Sequence, residues 1–418
     1  MPSTPVIKHQ GGVYQLQWTD EHLAIRIDRV HAEKTGVFGE ILTPTTPPTI
    51  NPPIHGPAHL NLISTTTRRQ LVNHLGEIMT HDWVGILEQA CYLVVEAHRT
   101  GVPAIHLADH TPPDALSMRI APILQEHQTT LFFGEGDSLK SFMAAYLSVL
   151  TTTGKPAVGL SPEPGNILYL DYETDVDTFW NRISMITSGL KIAIPEGIYY
   201  RPMIEAFTDE FPRVNALVME HEIALVVIDS AAPATIAPES ATAVTSFFRS
   251  LRALGTTNLV VAHMTKSAKG DYPFGSTFWR NLPRSNFRIT ADRADEDVAI
   301  SLTNTKSNNG KRLQPLGYKF TFGENAIAKE AVTVEMVRPR DYPELAENVS
   351  WRVRIAGVLK RGALTQKEIT DELKNISGKE VTAQTISTTV QREQKSHNPL
   401  FAVLPDKRVG LVDMSTNV

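Results

Sequence analysis

At 418 residues, 42% hydrophobic and 20% charged, the chain has ordinary globular composition and enough length for two or three domains with buried cores. A formal charge of −5 excludes a uniformly basic, nucleic-acid-coating protein, and the single Cys91 excludes an intrachain disulfide framework or a Cys-rich zinc site. No apolar run approaches the roughly 18 residues of a membrane span and Met1-Pro2-Ser3 begins no signal-peptide pattern, so the expectation is a cytoplasmic protein with no membrane partner.

Alternation predicts strands at 13–16 and 23–30 around a turn at 18–21. Residues 41–58 are too rich in proline for helix or central strand and read as a loop or linker. Helices are expected at 67–75 and 82–99, the second stopping at Gly101 and Pro103, with Cys91 on its apolar face as a core residue. The first 110 residues carry no catalytic signature, and an interaction or oligomerisation module is the default reading.

From about residue 112 strands alternate with helices, the pattern of an α/β sheet with parallel strands. Strands are expected at 131–133, 167–171, 223–229 and 258–262, and helices at 140–151, 175–189, 203–221 and 240–254. Further strands follow at 298–303, 317–322 and 332–337, and a Pro-containing charged stretch at 339–343 ends the domain.

Between the first of these strands and its helix stands Gly134-Glu135-Gly136-Asp137-Ser138-Leu139-Lys140-Ser141. A phosphate-binding loop needs backbone N–H groups turned toward an anion, a lysine for the β- and γ-phosphates, a hydroxyl for Mg²⁺ and a helix N-terminus behind them. Lys140, expected as a surface-loop charge, and Ser141 supply the side chains. Leu139 departs from the pattern G-x-x-x-x-G-K-[ST], bringing a Cβ where glycine lets the backbone approach phosphate. The alternative is a plain helix start.

A buried strand delivering Asp229 at its C-terminal end places an acid where ligands of open α/β sheets bind, suited to holding Mg²⁺, or else capping the next turn. The strand ending in Asp171-Tyr172-Glu173 offers Glu173 to activate a water. Asp171 is its competitor, because alternation sends both to one face; two solvated acids are the plain reading. His263 ends a fourth strand, either reporting on the γ-phosphate or serving as a structural histidine. The segment 266–273, with Lys266 and Lys269, is polar and Gly-containing, hence a mobile surface loop.

The order Gly-x-Gly-x-x-x-Lys-Ser, Tyr-Leu-Asp-Tyr-Glu-Thr-Asp, Val-Val-Ile-Asp-Ser, Val-Val-Ala-His-Met-Thr-Lys and Phe-Gly-Ser-Thr resembles the RepA-type AAA ATPases, RecA-fold relatives of plasmid helicases and of the KaiC and DnaB proteins. The resemblance spans about residues 112–338. It implies an ATP and Mg²⁺ site in which Lys140 and Ser141 are the Walker-A pair, Asp229 the Walker-B acid, Glu173 the catalytic glutamate, His263 a sensor and Gly275-Ser276 a family element. It also implies a hexameric ring, DNA-contacting loops at Lys266 and Lys269, and a basic finger reaching a neighbour's γ-phosphate. Lys306 is the first choice for that finger and Arg312 the second; a solvated hairpin tip is the alternative.

From residue 349 onward there are 11 Lys plus Arg against 7 Asp plus Glu, a balance of +4 that leaves −9 for the rest. Helices at 350–360, 365–373 and 382–393 and short strands at 400–404 and 409–412 read as a winged helix-turn-helix. Thr365-Gln366-Lys367-Glu368 fits a capping box and Thr382 an N-cap. Gln384, Gln391 and Arg392 could read bases or touch phosphates, with Lys407 and Arg408 on the wing; docking to protein is the other use of such a module.

The expected architecture is therefore α/β: an N-terminal α+β module over 1–110, a RecA-like P-loop NTPase core over 111–340 and a winged helix-turn-helix over 345–418. The expected activity is a DNA-directed, self-assembling ATPase, a helicase or loader in replication of a plasmid, phage or other mobile element, with a replication or mobile-element protein as a further partner. The alternatives are a DNA-binding regulator or scaffold with a degenerate loop, or a nucleotide-gated component of a defence or transposition system.

Overall fold

The structure, a computed structural model, describes residues 2–43, 55–102, 104–111, 116–264, 273–293, 297–323, 330–342, 345, 351–377, 381–396 and 399–412. The chain divides into two units: Met1–Ser117 with Glu205–Ala224 and Ser246–Thr256, and Met118–Ile204 with Leu225–Thr245 and Thr257–Val418.

In the first unit, β1 (Val6–Gln10), β2 (Val13–Trp18), β3 (Leu23–Glu33), β4 (Gly36–Thr43) and β5 (His55–Asn61) form an antiparallel sheet in chain order. Alternation sends Leu16, Trp18, Ile25 and Ile27 into one core with Leu71 and Leu75 of α1 (Thr65–Ile78) and Ile86, Leu87 and Val94 of α2 (Trp83–Thr100). Ser64 and Asp82 cap the two helices through bonds to the amides of Thr67 and Gly85. Cys91 is in this core as expected, and burial pushes its thiol up to about 12.

The linker expected at 41–58 is corrected at both ends: residues 41–43 and 55–58 are strand, with Ile41 opposite Ala58. Residues 44–54 lie outside the described ones. Pro57 is accommodated because β5 is an edge strand, where a missing ladder donor is tolerated. Also in this unit, α5 (Phe207–Glu220) presents Asn215, whose Nδ2 donates to the Gln10 carbonyl over 2.7 Å.

The second unit holds a nine-stranded sheet. It contains β8 (Thr129–Gly134), β10 (Asn166–Asp171), β11 (Ile198–Pro202), β12 (Ile223–Asp229), β13 (Thr257–His263) and β14 (Ser285–Asp292), then β15 (Val298–Ser307), β16 (Leu316–Gly323) and β17 (Ala331–Val337). The order is β11-β10-β12-β13-β8-β14-β15-β16-β17. β8 runs parallel to β13 and β14, whereas β14 to β17 pair antiparallel. A smaller sheet joins β6 (Met118–Ala121), β7 (Leu124–Gln125) and β9 (Ser161–Pro162).

Phe132, Tyr169, Val227 and Val261 meet α3 (Lys140–Thr153) and α4 (Val176–Leu190) in one core. Between β12 and β13 runs α6 (Ala241–Ala253), and α7 (Phe278–Asn281) precedes β14. Gly275, just before α7, has φ +99°, and a Cβ there would lie 2.4 Å from the Pro238 carbonyl oxygen. That oxygen accepts from the Ser276 amide and the Trp279 indole, so the Gly-Ser element is a docking point. The sequence reading does not contain β1, β4, β5, β11 or β14; in β14, for example, Arg288 and Thr290 interrupt the apolar run that marks a buried strand.

The C-terminal residues form α8 (Trp351–Val358), α9 (Gln366–Ser377), α10 (Ala383–Gln394) and an antiparallel pair, β18 (Phe401–Val403) and β19 (Val409–Leu411). Ile355, Leu359, Ile369, Leu373, Ile386, Val390, Phe401 and Val409 make their core. The capping box is present: Thr365 N–H donates to Glu368 Oε2 over 2.7 Å, and Glu368 N–H returns a bond to Thr365 Oγ1 over 3.3 Å. The buried Glu393 takes Arg352 Nε at 2.7 Å and the Leu400 amide at 2.6 Å, tying α8, α10 and the start of β18 together.

Candidate functional site

β8 delivers Gly134 to the sheet edge, and the loop that follows turns into α3 at Lys140. A Cβ on Gly134 would lie 2.3 Å from the Ile289 carbonyl oxygen, so only glycine lets β8 and β14 close here. Asp137 has φ +59° and Leu139 φ +56°, ψ 25°. Position 139 thus adopts the left-handed conformation that the motif's glycine favours, at a cost of about 1–2 kcal/mol for a residue with a side chain. The N-terminus of α3 follows directly behind it.

Lys140 is not a surface charge. It is 5% exposed, because α3 is buried almost along its whole length, and its Nζ donates to the Glu135 carbonyl at 2.5 Å and Ser138 Oγ at 3.2 Å. Burial lowers its pKa against the pull of Asp229, Glu173, Asp137 and Glu135. A cation folded into its own loop, among carboxylates, is placed to exchange a backbone carbonyl for phosphate oxygens.

Asp229, at the end of β12, is 2% exposed. Its Oδ2 accepts from Tyr169 Oη at 2.7 Å, while Oδ1 is buried without a hydrogen-bond partner. Burial raises its pKa, partly offset by the nearby Ser141 and Tyr169 hydroxyls. An unpartnered buried carboxylate oxygen beside a hydroxyl fits one face of a Mg²⁺ ion, which takes few protein ligands and retains water. Among the described residues no three His, Cys, Asp or Glu side chains cluster as a protein-only metal cage.

Asp171 and Glu173 differ in their partners. Asp171 is spent on its own turn: Oδ1 accepts from the amides of Glu173 and Thr174, both at 2.9 Å, and Oδ2 from Thr174 Oγ1 at 2.5 Å. Glu173 instead faces across the strand ends, its Oε1 accepting from Ser230 Oγ at 2.5 Å and meeting His263 Nε2 at 3.1 Å. The His263 bond holds the Glu173 carboxyl below the usual range, with Ser230 and Lys140 adding to it against burial. An ionised carboxylate only accepts, so Nε2 carries the hydrogen. The Tyr172 amide donates to the Asp229 carbonyl at 2.7 Å, which sets the ends of β10 and β12 side by side.

Alongside the loop lies a cavity of about 710 Å³, floored by Glu135, Gly136, Asp137 and Ser138 and walled by Arg288, Thr290 and Arg293 around β14. This volume suits a small polar ligand. Sequence reasoning missed Tyr169, Ser230, Arg288 and Arg293. Ser230 directly follows Asp229 and could have been flagged from that; the arginines gave no signal, because β14 was not placed next to β8.

The remaining candidates lie apart. Lys306 pairs in register with Asn286, away from the loop end of β14, and its Nζ donates to the carbonyls of Asn281 at 2.6 Å and Pro283 at 2.5 Å. Arg312 is exposed in the turn between β15 and β16. Lys266 and Lys269 lie outside the described residues. Gln384, Gln391 and Arg392 are exposed on α10 and Lys407 on the β18–β19 turn, whereas Arg408 is paired with Asp406 at 2.6 Å.

Residues 96–269 match the AAA domain family. The match covers under half of the chain, so the chain is similar to that family over this segment, which includes Lys140, Ser141, Glu173, Asp229 and His263. Among solved structures, a KaiC-like protein from the hyperthermophilic archaeon Pyrococcus horikoshii OT3 is 12% identical, with a TM-score of 0.39, over 54% of this chain and 100% of that one. No curated protein matches the chain. No helix among the described residues is long and apolar enough to cross a membrane.

Proposed function

We propose that the chain is a RecA-like ATPase of the RepA type that assembles into a ring, hexameric by the resemblance, and couples ATP hydrolysis to work on DNA. Its modules would be residues 1–110 for assembly, 111–340 for catalysis and 345–418, a winged helix-turn-helix, for DNA. The observation that carries the reading is the convergence of Lys140, Ser141, Asp229 and Glu173 at one end of the sheet, beside a loop in which Leu139 takes the left-handed conformation that the motif's glycine favours. That conformation is also why a degenerate, non-binding loop is the weaker reading.

Lys140 would leave the Glu135 carbonyl and neutralise the β- and γ-phosphates, and Glu173 would orient and deprotonate the attacking water. Ser141 and Asp229 would hold Mg²⁺, which when bound offsets charge on the phosphates. Lys306 or Arg312 would act on a neighbouring subunit's ATP. Glu173→Gln keeps the acceptor for Ser230 but cannot take a proton. Phosphate release is expected to fall by roughly 10²-fold or more, with ATP retained on the protein in a filter-binding assay. Normal hydrolysis would move the role to another group.

The test of DNA action is duplex-stimulated phosphate release and duplex affinity for the full chain against residues 1–344. Because phosphate neutralisation dominates non-specific affinity and the positive excess lies beyond residue 345, truncation is expected to weaken duplex binding by roughly tenfold or more at low salt and to flatten its salt dependence. Basal turnover is expected to survive, since every proposed catalytic residue precedes Pro339. An unchanged affinity and salt slope would assign the DNA path to Lys266 and Lys269 instead.

A further inference from the structure

We propose that Arg293 is a positioning residue for the phosphate loop, holding it in the binding conformation that a glycine at position 139 would otherwise make easy. The inference rests on the nucleotide-binding reading of that loop.

Two residues with side chains, Asp137 and Leu139, stand in left-handed conformation within three positions, at φ +59° and +56°. Such conformations persist only where the surroundings over-determine them. Inside the loop, Ser138 Oγ donates to the Glu135 carbonyl at 2.9 Å and Lys140 Nζ to the same carbonyl at 2.5 Å. The second of these must break when Lys140 turns to phosphate. The hold from outside comes from Arg293, just past the end of β14: its Nε donates to the Asp137 carbonyl at 3.1 Å and its Nη2 donates to the same oxygen.

The forked guanidinium thus grips the backbone at one of the two strained residues, where a lysine could make only a single directed bond. Its base is firm, since β14 pairs with β8 up to Ile289 opposite Gly134, where a Cβ on Gly134 would meet the Ile289 carbonyl oxygen. In the sheet order, β14 is on the side of β8 away from β13, β12 and β10, which carry His263, Asp229 and Glu173. Arg293 therefore acts on the loop from the side opposite the hydrolytic groups and should set nucleotide affinity, leaving the chemical step to them.

The experiment is a double-mutant cycle of Arg293→Ala and Leu139→Gly in the full chain, read as ATP KM, kcat and the hydrogen exchange of the loop amides without nucleotide. Arg293→Ala alone is expected to raise KM by about tenfold, the equivalent of one lost directed contact, with kcat changed less than about twofold, and to speed exchange at residues 136–141. Arg293→Lys should recover part of the KM. In the Leu139→Gly background, where the left-handed turn is free of Cβ strain, Arg293→Ala should change KM by less than about twofold.

Equal KM effects in both backgrounds would overturn the proposal, because a residue touching the nucleotide directly would matter whatever stands at 139. Unchanged loop exchange in Arg293→Ala would overturn it as well. If the unmodified chain binds no ATP the nucleotide reading fails, and the exchange arm still decides whether Arg293 holds the loop.

Discussion

Lys140→Ala is expected to reduce ATP turnover by roughly 10³-fold, to the background of the assay, while the chain remains folded. Removing one preorganised donor from a developing oxyanion costs about 10²–10³ in rate, and Lys140 is the only lysine in the loop. The loss should appear in nucleotide binding too, since the cation that would meet the phosphates is gone. Folding is protected because the side chain spans only from Lys140 to the Glu135 carbonyl and Ser138, within the loop itself. Phosphate release and far-UV circular dichroism on the same preparation check both halves. Equal release by variant and parent would sink the enzyme reading.

Asp229→Asn is expected to abolish Mg²⁺-dependent turnover and, in the same protein, to raise stability. Burial holds this carboxyl above the usual carboxylate range in the native state, so the folded chain binds a proton more tightly than the unfolded one. Stability then falls as pH rises from the unfolded pKa through the raised folded value, and above it the full penalty of a buried, half-partnered charge is present. The neutral isostere removes that penalty. A gain on the order of 1–3 kcal/mol is expected at neutral pH without nucleotide, shrinking toward pH 4. Thermal unfolding of both proteins at neutral pH and at pH 4 measures it; a less stable Asp229→Asn at neutral pH would show that the charge is compensated by its surroundings. The expected gain, in contrast, would be the signature of a position kept for an ion at a cost in stability.

What could be read from the chain and what could not follows from which physics is local. The strands ending in Asp171, Asp229 and His263 are continuous apolar runs bounded by turns, and β12 was read to the residue. Parallel strands buried on both faces have that signature. The capping box at Thr365 and the N-cap at Thr382 were legible because a cap is a contact over three residues.

The conformation of Leu139 was not legible. The side chain alone argues against a left-handed turn, and the outside contact proposed to hold the loop, from Arg293 to the Asp137 carbonyl, joins residues more than 150 positions apart. The division between Asp171 and Glu173 was also hidden, since it depends on Ser230 and His263 arriving from two other strands. The Pro-rich stretch misled because an edge strand accepts proline, and edge status is a property of the assembled sheet.

The same edge bears on how the sheet of the first unit could grow. Pro57 removes a backbone donor from β5, the last strand of that sheet, and makes it a poor template for a further strand. The other margin, β1, carries no proline, and Val6 and Ile7 on it are exposed. Addition of a strand from another molecule is therefore expected at β1 rather than β5, along Val6 to His9, since the Gln10 carbonyl already accepts from Asn215. A proline or lysine placed at Ile7 is the substitution that would close that margin.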